Sequence, residues 1–189
     1  MGKLTLILGG ARSGKSVFAE QLAAQQAEPV LYIATAQALD TEMQARILAH
    51  KDKRPKGWKT LETPCQVGKT ILEQPFESGL ILLDCLTLLV SNLVLDAGGR
   101  EDEPDEILAS AAVEAEIDSL LAAIRKGAAN WIVVSNEVGM GLVPPYPLGR
   151  VYRDLLGKAN MRLAQSASEV YLMVAGIPVP IHPHRISPP

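Results

Sequence analysis

Apolar and polar positions along the chain fall into two alternating kinds of segment. Short, predominantly apolar runs occupy Lys3–Leu8, Val30–Ala34, Gly79–Leu83, Trp131–Ser135 and Glu169–Val174. Their length and their lack of polar alternation predict strands covered on both faces. Between them lie segments with helical spacing. Lys15–Ala27 carries Val17, Phe18, Leu22 and Ala23 on or near one face. A second helix is expected from a cap at Asp40 or Thr41 to about His50, with Met43 and Ile47 one turn apart. Further helices are expected at Gln66–Gln74, Leu86–Leu95, Asp105–Lys126 and Leu148–Gln165. In Asp105–Lys126 the inward candidates are Ile107, Leu108, Ala111, Ala115, Leu121 and Ile124. Lys51–Gly57 reads as a charged loop, Trp58–Glu62 as extended and Gly98–Pro104 as a polar turn. Gly176–Pro189, with five prolines, is expected to be partly disordered toward its end. Strands alternating with helices predict an α/β fold, a mostly parallel sheet with helices on both faces. Nothing divides the chain, so residues 1–189 read as a single domain.

Composition narrows the function classes. An apolar fraction of 48% and a charged fraction of 21% describe a folded globular chain. A net charge of −3 and a pI near 5.6 argue against nucleic acid as a partner. Leu80–Leu95 contains Asp84, Thr87, Ser91 and Asn92, too short and too polar a run to span a bilayer, so no stable membrane insertion is expected. The run after Lys3 is too short for a secretion signal, and Leu6 breaks the myristoylation pattern after Gly2. The two cysteines, Cys65 and Cys85, then read as reduced thiols in a cytoplasmic protein.

The first chemistry-bearing motif follows the first strand. Gly9-Gly10-Ala11-Arg12-Ser13-Gly14-Lys15-Ser16 fits the Walker A spacing, a glycine and four residues before Gly-Lys-Ser. Its glycines let backbone N–H groups turn toward phosphate oxygens, Lys15 neutralises the outer phosphates, and the Ser16 hydroxyl is a ligand for Mg²⁺. The helix that follows points its positive end at the anion. These features define a P-loop NTPase. Its acidic partner is expected at the end of an apolar strand, and Leu80-Ile81-Leu82-Leu83-Asp84 supplies one. Asp84 is read as holding Mg²⁺, directly or through water, or alternatively as capping the next helix.

His50 shares a predicted helix face with Met43 and Ile47, follows Arg46 by one turn, and precedes Lys51-Asp52-Lys53-Arg54. Neighbouring cations attract a triphosphate and disfavour imidazolium, leaving a ring nitrogen free to attack phosphorus. On the residues alone, a surface histidine at a basic helix end is the simpler reading. His182 and His184, in the Pro-rich tail, read as surface residues.

Beyond these motifs stand Tyr32-Ile33-Ala34-Thr35-Ala36, then Arg46-Ile47 with His50, Arg54-Pro55, Trp58 and Glu62. Leu83-Asp84-Cys85-Leu86-Thr87, Ser91-Asn92-Leu93 and Asn136-Glu137-Val138-Gly139-Met140-Gly141 follow. The set resembles the bifunctional adenosylcobinamide kinase / adenosylcobinamide-phosphate guanylyltransferase family over roughly residues 3–175. The resemblance implies phosphorylation of adenosylcobinamide by ATP or GTP, then transfer of GMP from GTP to the corrinoid phosphate through a GMP-histidine. It places that histidine at His50, where Ala49 stands in place of a second histidine found in some relatives. It puts Ala34, Thr35, Ala36, Lys51, Asp52, Lys53, Arg54, Glu62 and Asp84 against the guanine nucleotide, and it implies a RecA-like sheet and a homotrimer. Asn136–Gly141 reads as a contact for substrate or subunit, or as a structural turn, and a lone Trp58 reads as packing. Two alternatives remain at this stage: a monofunctional small-molecule kinase with an inert His50, and a RecA-like NTPase switch.

Overall fold

The computed structural model describes residues 2–26, 29–37, 51, 54–74, 76–77 and 79–181. The predicted helix ending near His50 lies outside them. The described elements, in chain order, are β1 (Leu4–Gly9), α1 (Lys15–Ala24), β2 (Val30–Ala34), β3 (Lys59–Glu62), α2 (Val67–Glu73), β4 (Leu80–Asp84) and α3 (Leu86–Asp96). Then come α4 (Glu106–Lys126), β5 (Asn130–Val134), α5 (Pro147–Ser166), β6 (Glu169–Val174) and β7 (Ile177–Ile181). They build one seven-stranded sheet in the order β3-β2-β4-β5-β1-β6-β7, parallel throughout except for β7, which runs antiparallel to β6.

Both faces of the inner strands are dry, as parallel sheets require. Leu4, Leu6, Leu31, Ile33, Ile81, Leu83, Trp131 and Val133 face a large core shared with α2, α3, α4 and α5. The alternate residues, Ile7, Val30, Tyr32, Leu80, Leu82, Ile132 and Val134, face a thinner layer with Ala19 and Ala23 of α1, Trp58 and Met173. Period-two alternation thus divides each strand between two cores.

Two sequence expectations are corrected. Val17, expected near the inward face of α1, is 59% exposed, and Ala19 takes the buried place with Ala23. In α4, Leu121 and Ile124 are buried as expected, but Ile107 is 82% exposed, and Leu108, Ala111 and Ala115 are exposed as well; Ala109, Val113, Glu116, Ile117, Leu120 and Ala123 are buried in their place. Ile107 and Ala111 line an open groove of about 540 Å³ against Val151 and Leu155 of α5. The segment after Gly176 opens with β7, and its end, expected to be partly disordered, lies outside the described residues. Ala175 (φ 51°) and Gly176 (φ 84°) form a two-residue turn of positive φ between paired Val174 and Ile177, the conformation that suits tight hairpins.

Candidate active site

The C-terminal ends of β1, β2, β4 and β5 meet on one edge of the sheet, where open α/β sheets bind ligands. Register fixes the neighbours: Ala34 pairs with Asp84, Asp84 with Val134, and Val134 with Ile7. The phosphate loop leaves β1 on this edge. Gly9 there has φ 152°, and an added Cβ would stand 2.7 Å from Ser13 Oγ and 2.8 Å from the Met173 carbonyl oxygen, so the position excludes a side chain. Arg12, exposed, also takes a positive φ.

Lys15 is the first residue of α1 and is 8% exposed. Its Nζ donates to the Gly10 carbonyl at 2.6 Å, which folds the ammonium back over the loop. Burial lowers its pKa, opposed by the nearby charges of Cys85 and Asp84. Ser13 Oγ is buried with no hydrogen-bond partner among the described residues, an orphan that a phosphate oxygen would satisfy. The loop is braced from two sides: the Glu137 N–H donates to Gly9 O at 3.0 Å, and the Gly176 N–H of the hairpin turn donates to Ser13 O at 3.0 Å.

Asp84 ends β4. It is not a helix cap, since α3 starts after Cys85 with no side-chain cap bond. Its Oδ2 accepts from the Tyr32 hydroxyl at 2.9 Å, and burial followed by Asp84 itself pushes that hydroxyl's pKa far up. Among the described residues no cluster of three His, Cys, Asp or Glu side chains could hold a metal by itself. One hydroxyl, Ser16, and one carboxylate, Asp84, suit Mg²⁺, which keeps waters and takes phosphate oxygens to complete an octahedron. The donor set fits the ion.

The remaining expected contacts fall into two groups. Thr35 is fully buried and its Oγ1 is committed to Cys85, accepting from Cys85 N at 3.0 Å and donating to Cys85 O at 2.7 Å. Asn92 donates to the Thr35 and Pro64 carbonyls, both at 2.9 Å. Thr35 therefore ties β2 to β4 with its side chain, and Ala34 has its carbonyl taken by Thr63 N–H at 3.0 Å. Ala36 lies just beyond this latch, partly exposed. In the second group, Lys51 pairs with Glu62, which is 60% exposed, and Arg54 lays its guanidinium carbon 3.7 Å from the Tyr32 ring centroid. His50, Asp52 and Lys53 lie outside the described residues.

Sequence reasoning missed the Tyr32 hydroxyl, although a buried tyrosine needs a partner for its oxygen and Asp84 was the nearest strand-end acceptor. It also missed the brace beneath Asn136. Thr87 Oγ1 accepts from Asn136 N at 2.7 Å, Asn160 Nδ2 donates to Asn136 O at 2.9 Å, and Ser135 Oγ donates to Asn160 Oδ1 at 2.7 Å. Trp58 packs on Tyr32 with centroids 6.5 Å apart, as the packing reading held.

A phosphate loop, an acidic strand end beside it and a parallel sheet define a P-loop nucleotide-using enzyme of RecA-like architecture. A solved structure of the RadB recombinase shares that fold with TM-score 0.50 at 16% identity, over 90% of this chain and 74% of the other. The family model described as cobinamide kinase / cobinamide phosphate guanyltransferase matches residues 5–181, and the chain belongs to that family of transferases. The bifunctional adenosylcobalamin biosynthesis protein CobU of Escherichia coli K12 is 46% identical over 181 residues, covering 94% of this chain and 99% of its own. Its namesake in Salmonella typhimurium LT2 is 46% identical over 180 residues, with the same coverage. CobP of Pseudomonas aeruginosa PAO1 is 42% identical over 176 residues, 93% and 95% of the two chains.

Proposed function

We propose that one catalytic domain, residues 1–189, first phosphorylates adenosylcobinamide and then guanylylates the product, using Mg²⁺ with ATP or GTP in the first step and GTP in the second. The observation that carries this reading is shared position: Arg54, from the basic segment, rests on Tyr32, whose hydroxyl holds Asp84 at the sheet edge that carries the phosphate loop. Basic segment and phosphate loop can therefore serve one triphosphate.

In the kinase step the corrinoid's aminopropanol oxygen attacks the γ-phosphorus. The bond to the β-phosphate oxygen breaks, and nucleoside diphosphate leaves. Backbone N–H groups of Gly9 to Ser16 and the Lys15 ammonium bind the charge that builds on the phosphate oxygens. Ser16 and Asp84 would hold Mg²⁺, which supplies charge neutralisation when bound. In the transfer step a neutral His50 nitrogen attacks the α-phosphorus of GTP, and pyrophosphate leaves with the electrons of the broken P–O bond. A phosphate oxygen of the corrinoid then attacks the same phosphorus, the P–N bond breaks, and the imidazole is restored with adenosylcobinamide-GDP as product. Lys51, Asp52, Lys53, Arg54 and Glu62 line the guanine nucleotide together with Ala34, Thr35 and Ala36. For Thr35 the contribution is framework, because its hydroxyl is spent on Cys85.

Met140, Leu142 and Val143 are 81%, 96% and 62% exposed on the loop that Glu137 ties to Gly9, which supports a face covered by the corrinoid or by a neighbouring copy in a homotrimer. Among the described residues no helix is long and apolar enough to cross a membrane. We assign the enzyme to the cytoplasm, without a nucleic-acid partner.

The test is covalent capture. Incubation with Mg²⁺ and GTP labelled at the α-phosphate, followed by denaturation, should leave label that survives alkali and is lost in acid, the signature of a phosphoramidate. His50→Ala should abolish the label and guanylyl transfer while kinase turnover persists. Label on the alanine variant would remove His50 from the mechanism. No label on folded, GTP-binding wild type would leave only a kinase.

A further inference from the structure

Tyr32 lies within β2, 2% exposed, and touches both halves of the site. Its hydroxyl donates to Asp84 Oδ2 at 2.9 Å, which fixes the carboxylate's rotation and leaves Oδ1 for another ligand. Its ring carries the Arg54 guanidinium 3.7 Å from the centroid. The same ring packs on Trp58 at 6.5 Å and an interplanar angle of 28°. The Trp58 N–H closes on Pro55 O at 3.1 Å, so the turn from Arg54 to Trp58 is wrapped around this one side chain. A tyrosine that only filled the core would need a partner for its hydroxyl, but not this carboxylate at the strand end nor a guanidinium on its ring. Leu82 and Val134, in the same layer, fill it without a polar atom.

We propose that Tyr32 is a positioning residue that holds the Asp84 carboxylate and the Arg54 guanidinium in one arrangement, so that the metal side and the basic side of the triphosphate site are set by a single side chain. The proposal rests on the assignment of Asp84 to Mg²⁺ and of Arg54 to the nucleotide. Its two arms are separable. The hydroxyl acts through Asp84 and belongs to Mg²⁺-dependent binding. The ring acts through Arg54 by cation–π attraction and belongs to binding with or without metal.

The experiment is equilibrium binding of a fluorescent GTP analogue to the full chain, in Mg²⁺ and in EDTA. Tyr32→Phe keeps the ring and removes the hydroxyl. It should weaken Mg²⁺-supported binding about ten- to a hundredfold, the worth of one hydrogen bond to a charged group, and leave binding in EDTA unchanged. In an Asp84→Asn background the same substitution should change nothing further, because the hydroxyl has lost the charge it orients. Tyr32→Leu should also weaken binding in EDTA, and that added loss should vanish in an Arg54→Ala background. Circular dichroism confirms that each variant is folded, and Tyr32→Phe carries the test if the leucine variant is not.

Equal weakening by Tyr32→Phe with and without Mg²⁺, or full additivity with Asp84→Asn, would make the hydroxyl a packing detail and overturn the proposal. Normal Mg²⁺ dependence in Asp84→Asn alone would remove Asp84 from the metal, and the proposal would fall with the assignment beneath it.

Discussion

Glu116 is a carboxylate spent on another helix. It projects from α4, is 6% exposed, and accepts from the backbone N–H groups of Gln66 at 2.7 Å and Gly68 at 3.2 Å. Those amides belong to the start of α2, which has no cap from its own side chains. Burial raises the Glu116 pKa above its usual 4.5, against the opposing pull of the Gly68, Gln66 and Val67 amides. The folded chain therefore holds this proton more tightly than the unfolded chain. The group's contribution to stability is fully present below the unfolded value and declines as pH rises through the raised folded one. Glu116→Gln removes the titration. Urea unfolding from pH 4 to about 7 should show wild type losing ground to the glutamine variant as pH rises. Parallel curves would mean that the carboxylate is not buried at a cost. Sequence patterning had no means of finding Glu116: a glutamate on a long helix reads as solvated, and its partners are about fifty residues away in the chain.

At the scale of elements, α2 and α4 approach each other closely at Gly68. A Cβ on Gly68 would stand 2.3 Å from Leu120 N and from the Ser119 carbonyl carbon, both backbone atoms that cannot rotate aside. Gly68→Ala must therefore push the helices apart, and a loss of about 1–3 kcal/mol is expected for such overpacking, read as a lower midpoint in urea. GTP affinity of the folded fraction should be unchanged, since α2 supplies nothing to the sheet edge where the phosphate loop lies. A wild-type midpoint would show that the helices separate freely. The α2 segment was legible from Pro64 onward as a short helix, but the role of its glycine was not, because a glycine within a helix registers only as a propensity cost. The α4 face was misread for a related reason. Apolar residues ring its first three turns, so spacing alone cannot choose between the stripe with Ile107 and Ala111 and the one with Ala109 and Val113. The neighbouring helices α2, α3 and α5 choose, by packing against α4 so that Ala109 and Val113 are buried. The phosphate loop and Asp84 were legible because their chemistry demands fixed residue types at fixed spacing. Tyr32 and Asn160 were not, because they act across strands and helices that no local pattern joins.

Across the whole molecule, both edges of the sheet are managed differently. β3 ends one side as four residues with mostly exposed side chains, short enough to offer little to a partner. β7 closes the other with Ile177, Val179 and Ile181 exposed at 64%, 43% and 42%, a pattern that on a free edge invites pairing with another chain. In a two-residue hairpin the residues flanking the turn exchange the closing bonds, so Ile177, Val179 and Ile181 direct their N–H groups at β6. Pro178 and Pro180 then take the places whose nitrogens face outward, where proline has no donor to present. The prolines that make the tail look irregular in sequence are compatible with an edge strand, and they block its open side. The same hairpin reaches the site, since its turn donates Gly176 N–H to Ser13 O. Replacing Pro178 and Pro180 together with threonine restores two outward donors on a β-prone strand without touching the ladder to β6. The variant should keep its GTP affinity and gain concentration-dependent association, visible as rising light scattering on mild heating. Scattering equal to wild type at the same concentration would mean that the outward edge is already covered, most simply by a neighbouring copy, and that the prolines serve the turn rather than the edge.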